Sequence, residues 1–445
     1  MPLPDPPFDT IVALASGSTP AGVAVLRLSG AAAPTVLQAL TKQPLPDPRR
    51  MVLRSLYAPE SGELLDRGLV VRFAAPNSFT GEDVVELHLH GGPATVSGTL
   101  AVILAFADCR QAREGEFTRR AFDNGKLDLT AVEGLSDLVR ARTAAQRRQA
   151  LSAAGGATHR TILQWRDSLL RARALLETMI DFVDEDVPDH LLANARSTVA
   201  AIRAEMADAL DRAQAGLAIR DGLHVAIAGA PNVGKSTLLN ALVGRDAAIV
   251  SAIAGTTRDV IEATLDIDGY LVIVSDTAGL REAASPIEAE GIRRANRAMA
   301  EADLCIEVRD LTDLGAVPPP AMPVGSAQRL IFWNKSDSAP LSTPAAGIVG
   351  SAKTGAGVGE LKRNIGRLAR ELAQNGEHAV IQRARHRSAI TDAATALALW
   401  DDSSVAEEIL ASALDHAIRS LDAVVGATHV EHMLDIIFRE FCIGK

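Results

Sequence analysis

Three cysteines in 445 residues, Cys109, Cys305 and Cys442, lie far apart and form no Cys-x-x-Cys pair. That sparsity excludes a disulfide framework and a zinc knuckle, and it assigns Cys305, inside an apolar strand-like run, to a core. Long apolar runs are absent as well. Nothing in the chain approaches the roughly 18 consecutive apolar residues of a membrane-spanning helix, so a soluble chain without a membrane partner is expected. Residues 1–10 are rich in proline and hold two aspartates but no Lys or Arg. Neither a secretory signal nor an arginine-rich transit peptide has that composition, and the expected location is cytoplasmic. Positive charge is not in excess either. The formal net charge is −10, so a nucleic-acid partner must be met by a local patch and not by the whole surface. Three basic clusters offer such patches: Arg140, Arg142, Arg147 and Arg148; Arg166, Arg171 and Arg173; and Arg383, Arg385, His386 and Arg387. For each cluster taken alone, a solvated helix face is the favoured reading.

The remaining composition, 47% hydrophobic and 22% charged, is that of an ordinary globular protein, and the length of 445 residues makes about three domains the starting expectation. Residues 1 to about 120 mix short apolar strand-like runs, 23–28 and 84–89, with helical stretches such as 94–107, an α/β pattern. From about 127 to 218 the chain turns alanine-rich and helical, with one break near Val187-Pro188, and from His386 to the end it is helical again. Two helical stretches of similar character flank a middle segment. The simplest arrangement packs them together and makes the middle an insertion, whose Pro-rich 317–323 is a surface loop.

That middle segment carries phosphate chemistry. Gly229-Ala230-Pro231-Asn232-Val233-Gly234-Lys235-Ser236 matches Gly-x-x-x-x-Gly-Lys-Ser, in which backbone N–H groups and a helix N-terminus surround an anion. Lys235 then reaches the terminal phosphates and Ser236 offers a hydroxyl to Mg²⁺. The flanks suit the motif, with an apolar strand-like run at 223–228 before it and a helical start at 237–243 after it. Asp276-Thr277-Ala278-Gly279 follows the apolar run 271–274, where an aspartate of Walker B type sits near the metal. Between the two lies Gly255-Thr256-Thr257-Arg258-Asp259, and Thr257 is the residue expected to complete the Mg²⁺ shell as part of a switch loop.

Asn334-Lys335-Ser336-Asp337 names the base, because an aspartate accepts from both the ring N–H and the exocyclic amine of guanine, a donor pair adenine lacks. A site whose buried acceptors would be left unpaired rejects the wrong substrate by roughly 10⁴. Ser351-Ala352-Lys353 follows the strand-like 347–349 and supplies a loop over the base. One standard part is missing. Where many small GTPases place a water-orienting glutamine directly after Asp-Thr-Ala-Gly, this chain has Leu280. The acidic groups nearby are Glu282, Glu288 and Glu290, and spacing alone leaves all three open.

These motifs, combined with Ser78-Phe79-Thr80-Gly81-Glu82-Asp83, with Arg120-Ala121-Phe122-Asp123-Asn124-Gly125-Lys126-Leu127-Asp128-Leu129 and with the terminal Phe441-Cys442-Ile443-Gly444-Lys445, resemble the MnmE (TrmE) family of tRNA modification GTPases over essentially the full length. The resemblance implies a multidomain fold: an α/β N-terminal folate-binding domain that dimerises (1–122), an all-α helical domain in two parts (123–219 and 381–445) and an inserted Ras-like α/β P-loop GTPase domain (220–380). It implies a homodimer that joins an FAD-carrying flavoprotein of the MnmG type in a heterotetramer. Together the two install an aminomethyl-type group, commonly carboxymethylaminomethyl, on carbon 5 of the wobble uridine of certain tRNAs. The carbon comes from 5-formyl- or methylene-tetrahydrofolate, and GTP hydrolysis drives the conformational cycle.

Carried over position by position, the resemblance assigns GTP contacts to Asn232, Val233, Gly234, Lys235, Ser236 and Thr237, to Ser251, Ala252, Ile253, Ala254, Gly255, Thr256 and Thr257, to Asp276, Thr277, Ala278 and Gly279, and to Asn334, Lys335, Asp337, Ser351, Ala352 and Lys353. Ser236 and Thr257 hold Mg²⁺. A bound K⁺ takes the place of an arginine finger, a group worth roughly 10³ to 10⁵ in rate, with Asn232, Ser251, Ile253 and Thr256 as its ligands. The resemblance makes Glu288, upstream of Gly291-Ile292, the catalytic water-positioning residue and Lys235 a second catalytic residue. Folate contacts fall on Arg27, Glu86, Lys126 and Lys445, whose charges suit glutamate-tail carboxylates and the N–H groups of a pterin.

Glu86, His88 and His90 alternate along one strand face, an arrangement that also fits a metal site. Cys442 has two readings: a catalytic thiolate toward a pyrimidine ring, or packing of a helix end, since Met433, Leu434, Ile437 and Phe441 recur at helical spacing. The chain departs from the family pattern in the glycine-poor Ser16-Gly17-Ser18-Thr19-Pro20-Ala21-Gly22 and at Asp123, where an apolar residue is common. A regulatory GTPase switch without modification chemistry, and a folate enzyme with a vestigial GTPase, are the competing functional classes.

Overall fold

The alternation of apolar and polar residues near the N-terminus builds a six-stranded sheet in the computed structural model, which describes residues 9–181, 190–247, 262–276, 300, 302–313, 328–338, 346–374, 376–427, 438, 441 and 444. The chain divides into two units, Met1–Ser136 with Val425–Lys445, and Asp137–Val424.

The first unit contains β1 (Thr10–Leu14), β2 (Ala21–Ser29), α1 (Ala33–Thr41), β3 (Val52–Tyr57), β4 (Leu64–Phe73), β5 (Val84–Gly91), α2 (Pro93–Leu104), β6 (Cys109–Gln111), α3 (Glu116–Asp123) and α4 (Leu129–Arg140). Strand order is β3-β4-β5-β2-β1-β6, antiparallel except for the β1–β6 pair. On β5, Val85, Leu87 and Leu89 are buried and form a core with Ala24, Leu26 and Leu28 of β2, Val36, Leu37 and Leu40 of α1, and Ile103 of α2. Because side chains alternate along a strand, Arg27, Glu86 and His88 belong to the other face. The tail returns to this unit, with Phe438 and Phe441 packed on Leu129 and Val132 of α4.

The second unit begins with helices α5 (Ala144–Ala154), α6 (Ala157–Asp181), α7 (His190–Asp211) and α8 (Ala213–Asp221). An α/β sheet follows, built from β7 (Leu223–Ala228), α9 (Lys235–Ala247), β8 (Glu262–Ile267), β9 (Tyr270–Asp276), β10 (Leu304–Asp310), β11 (Gln328–Asn334), β12 (Ile348–Val349) and α10 (Val358–Leu372). The helical pattern then resumes in α11 (Ala384–Leu397) and α12 (Glu407–Val425). The sheet order β12-β11-β10-β7-β9-β8 is parallel apart from the β8–β9 hairpin. Ile227, Leu238, Val274, Ile306, Phe332, Leu361 and Ile365 fill its core. This is the inserted Ras-like P-loop domain, and the multidomain class of α/β, all-α and P-loop parts is the one observed.

The helices on either side of the insertion pack together. Arg166 of α6 donates to Asp422 of α12 at 2.6 Å, Arg173 of α6 lies 3.2 Å from Asp415 of α12, and Arg196 of α7 donates to the Trp400 carbonyl at 2.6 Å. These pairs engage much of the second basic cluster inside the fold. The third is engaged too: Arg383 pairs with Asp137 at 2.8 Å, Arg385 donates to the Ala423 and Val424 carbonyls at the end of α12, and His386 is buried. In the first cluster Arg148 pairs with Glu377, Nε to Oε2 2.7 Å, while Arg140, Arg142 and Arg147 are exposed. Val187-Pro188 and the 317–323 segment lie outside the described residues.

Candidate functional site

The phosphate loop joins the end of β7 to α9, at the carboxyl edge of the parallel strands where open α/β sheets bind ligands. Two glycines permit its path. Gly229 (φ +150°) runs so close to β10 that an added Cβ would strike the Val308 carbonyl oxygen, and Gly234 (φ +99°) so close to the base segment that a Cβ would strike Asn334 Nδ2. Asn232 is left-handed at φ 64° and exposed. Lys235 Nζ donates to the carbonyls of Gly229 and Ala230, both at 3.0 Å, so the ammonium is held against the start of the loop. Burial lowers its pKa, and the carboxylate of Asp276 opposes that shift.

Ser236, in the first turn of α9, donates through Oγ to Asp276 Oδ2 at 2.8 Å. The other carboxylate oxygen, Asp276 Oδ1, is buried and has no hydrogen-bond partner among the described residues. Unpartnered buried carboxylate oxygens are costly, and hard divalent cations take oxygen ligands of this kind. A hydroxyl and a carboxylate oxygen held together at the phosphate edge fit Mg²⁺.

The base side is tied to the phosphate side by one residue. Asn334 donates through Nδ2 to the Val233 carbonyl and accepts from the Ala352 amide through Oδ1, each at 2.8 Å, so it links three loops. Ser351 Oγ donates to Asp337 Oδ1 at 2.6 Å, and that bond holds the Asp337 carboxyl below its usual range. Lys335, left-handed at φ 68°, pairs with Asp310 at 2.6 Å. Asn232, Val233, Gly234, Lys235, Ser236, Asp276, Asn334, Lys335, Asp337, Ser351 and Ala352 are thus brought to one edge of one sheet. The residues 251–257, Thr277, Ala278, Gly279, Leu280, Glu282, Glu288, Glu290, Cys442 and Lys445 lie outside the described residues.

A second polar site lies in the N-terminal unit. Arg27 on β2 and Glu86 on β5 are cross-strand partners, and their side chains pair at 2.8 Å. The guanidinium carbon lies 5.9 Å from the Phe79 ring centroid and 5.8 Å from that of Phe117. Phe79 belongs to a loop whose polar groups are held by residues outside it. Ser29 Oγ donates to Glu82 Oε2 at 2.6 Å, Arg120 reaches Glu82 at 3.2 Å, and Asn124 Nδ2 donates to the Thr80 carbonyl at 2.7 Å. Lys126 runs beside the same loop: a Cβ on Gly81 would lie 3.1 Å from its Cε. The tail meets the end of β1, where a Cβ on Gly444 (φ +103°) would strike the Leu14 carbonyl oxygen.

The metal reading of Glu86, His88 and His90 does not hold. His88 Nε2 is 3.4 Å from Glu86 Oε2, but His90 Nδ1 turns to Asp66 at 2.8 Å, and no group of three metal-ligating side chains is found among the described residues. Asp123 is tolerated because its side chain is 58% exposed at the end of α3. Sequence reasoning missed Phe79 and Phe117 as neighbours of Arg27, and Asp310 as the partner of Lys335. Only Asp310 left a signal, as the charged end of an apolar strand.

Comparison with known proteins identifies the family. The family described as "GTP-binding protein TrmE N-terminus" matches residues 10–126, and that described as "MnmE helical domain" matches 129–442. The chain is 49% identical over 443 residues to the tRNA modification GTPase MnmE of Paramagnetospirillum magneticum, a match covering 98% of this chain and 100% of the relative. It is 47% identical over 443 residues to the protein of the same name from Azorhizobium caulinodans, with 98% and 99% covered. Among solved structures, Aquifex aeolicus Era bound to GDP·AlF4− overlaps 32% of this chain and 56% of its own at 28% identity, with a TM-score of 0.26. On its full-length identity to these relatives, the chain belongs to the MnmE family of tRNA modification GTPases.

Proposed function

We propose that this chain, a GTPase acting in tRNA modification, hydrolyses GTP in a K⁺-stimulated cycle that serves a one-carbon transfer to the wobble uridine of certain tRNAs. The product is an aminomethyl-type group on carbon 5, commonly carboxymethylaminomethyl. A flavoprotein of the MnmG type, carrying FAD, is the partner, and a tetrahydrofolate derivative, 5-formyl or methylene, is the donor. The observation that supports this reading best is that one chain carries two polar arrangements: an unpartnered Asp276 Oδ1 beside Ser236 at the phosphate loop, and an Arg27–Glu86 pair whose guanidinium lies near two aromatic rings.

At the first site Lys235 binds the terminal phosphates, and Asn334 with Asp337 reads guanine. Ser236 and Asp276 would hold Mg²⁺ with Thr257, and the ion supplies charge neutralisation at the phosphates. Asn232, Ser251, Ile253 and Thr256 would hold K⁺; Asn232, exposed on the phosphate loop, suits that role. Glu288 orients the attacking water in place of the glutamine that Leu280 replaces. At the second site Glu86 accepts from a pterin's N–H groups, while Arg27, Lys126 and Lys445 bind its oxygen and the glutamate tail. The domain limits 1–122, 123–219, 220–380 and 381–445 and the homodimer belong to the same proposal, as does a cytoplasmic location.

The test is the GTPase rate in KCl against NaCl at equal ionic strength. A large K⁺ preference is expected. Equal rates would sink the K⁺ assignment and leave a GTPase of another mechanism.

A further inference from the structure

We propose that Asp310 is a positioning residue for guanine-nucleotide binding, acting through Lys335. The proposal rests on the reading of Asn334-Lys335-Ser336-Asp337 as the base-reading segment.

Asp310 and Asn334 are register partners at the ends of the parallel strands β10 and β11. The next residue, Lys335, takes a left-handed backbone conformation (φ 68°) that costs a side-chain-bearing residue energy and must be held by its surroundings. Asp310 supplies that hold. Its Oδ2 pairs with Lys335 Nζ at 2.6 Å, and its Oδ1 accepts from the Thr312 amide at 2.9 Å and the Thr312 hydroxyl at 2.6 Å. Burial pushes the Asp310 carboxyl up, but the bonds from Lys335 and Thr312 outweigh it and keep the group ionised. The neighbouring cation, Arg309, is committed elsewhere: it pairs with the buried Glu307 at 2.6 Å and stacks 5.3 Å over the Trp333 ring. Asp310 is therefore left to Lys335.

Location gives this pair its consequence. The Leu311 amide donates to the Asn334 carbonyl at 2.9 Å, and Asn334 itself donates to Val233 of the phosphate loop. The strand end carrying Asp310 thus touches the segment that joins the base and phosphate halves of the site. Asp310 thus fixes where the Lys335 ammonium lies, at the residue that follows Asn334.

The test measures KM and kcat for GTP in the full chain carrying Asp310→Asn, Asp310→Glu, Lys335→Met or Asp310→Asn with Lys335→Met. Loss of one charge-assisted bond predicts a KM increase of about tenfold in Asp310→Asn, with kcat changed by less than about twofold. Asp310→Glu restores most of the loss, and in the Lys335→Met background the Asp310→Asn step adds less than about twofold. An unchanged KM in Asp310→Asn would overturn the proposal. So would full additivity with Lys335→Met, or a fall in nucleotide-free melting temperature that tracks the KM change. Asp337→Asn separates this from the underlying reading. It should exchange GTP for xanthosine triphosphate, because an amide donates to the xanthine oxygen that replaces the amine; failure to exchange refutes the base-reading assignment, whatever the Asp310 variants show.

Discussion

Ser236 Oγ and Asp276 Oδ2 lie 2.8 Å apart, joined by a hydrogen bond that draws the first turn of α9 onto the end of β9 and leaves Asp276 Oδ1 buried without a partner among the described residues. The arrangement has the oxygen donors that a hard divalent cation takes. Its two oxygens come from segments 40 residues apart in sequence, held by the sheet that places β9 beside β7.

Ser236→Ala removes one of those oxygens and should raise the MgCl2 concentration for half-maximal GTPase activity by about tenfold or more. Nucleotide binding measured without the divalent ion should change little, since Lys235 and the loop amides are untouched. An identical Mg²⁺ titration curve in wild type and variant would remove Ser236 from the metal shell.

Glu288→Ala should lower K⁺-stimulated turnover by about 10² or more, the range of a positioned acid–base group, and leave GTP affinity near its original value. Single-turnover rates with a fluorescent GTP analogue separate the two quantities. If turnover persists, Glu282 and Glu290 become the groups to replace.

For the N-terminal site, Lys126→Ala should weaken binding of 5-formyl-tetrahydrofolate by about tenfold in calorimetry, the worth of one charge-assisted contact. Arg27→Met should weaken it further, because Glu86, 17% exposed, would lose the cation that neutralises it. Absence of binding by the unaltered chain would leave a regulatory GTPase without folate chemistry.

The motif residues were readable in sequence because their roles depend on backbone geometry within a few positions. Gly229 and Gly234 carry the positive φ angles of the loop, and Lys235 and Ser236 open the helix that follows it. The Arg27–Glu86 pair joins strands 59 residues apart, and nothing local marks either residue, so only the family resemblance selected them. The partners of the basic clusters were hidden for the same reason. Arg166 and Arg383 find their carboxylates 256 and 246 residues away, and a list of charges along the chain cannot separate a paired arginine from one open to phosphates. The tail is a further case: Gly444 meets Leu14, a contact fixed by tertiary packing alone.

The loop that carries Phe79 depends on a charge network whose pH behaviour can be worked out. Arg120, 15% exposed, pairs with Asp9 at 2.6 Å, Glu82 at 3.2 Å and Glu116 at 3.3 Å, and Arg110 joins Asp9 and Glu116. Burial pushes the carboxyls of Asp9 and Glu116 up, but hydrogen bonds and charge from Arg110 and Arg120 prevail and hold both below their usual range. A carboxyl depressed in the folded state stabilises the fold fully above its unfolded pKa of about 4, and that stability is lost as the pH falls through the lower folded value. Arg120→Met leaves these carboxylates short of a cation and should destabilise the chain by about 3 kcal/mol at pH 7, measured by urea unfolding followed through the N-terminal unit. The variant is also expected to lose less stability on acidification than the unaltered chain, so the gap between them should close below about pH 4. Two curves that stay parallel from pH 7 to pH 3 would show that Arg120 acts by packing and not by charge.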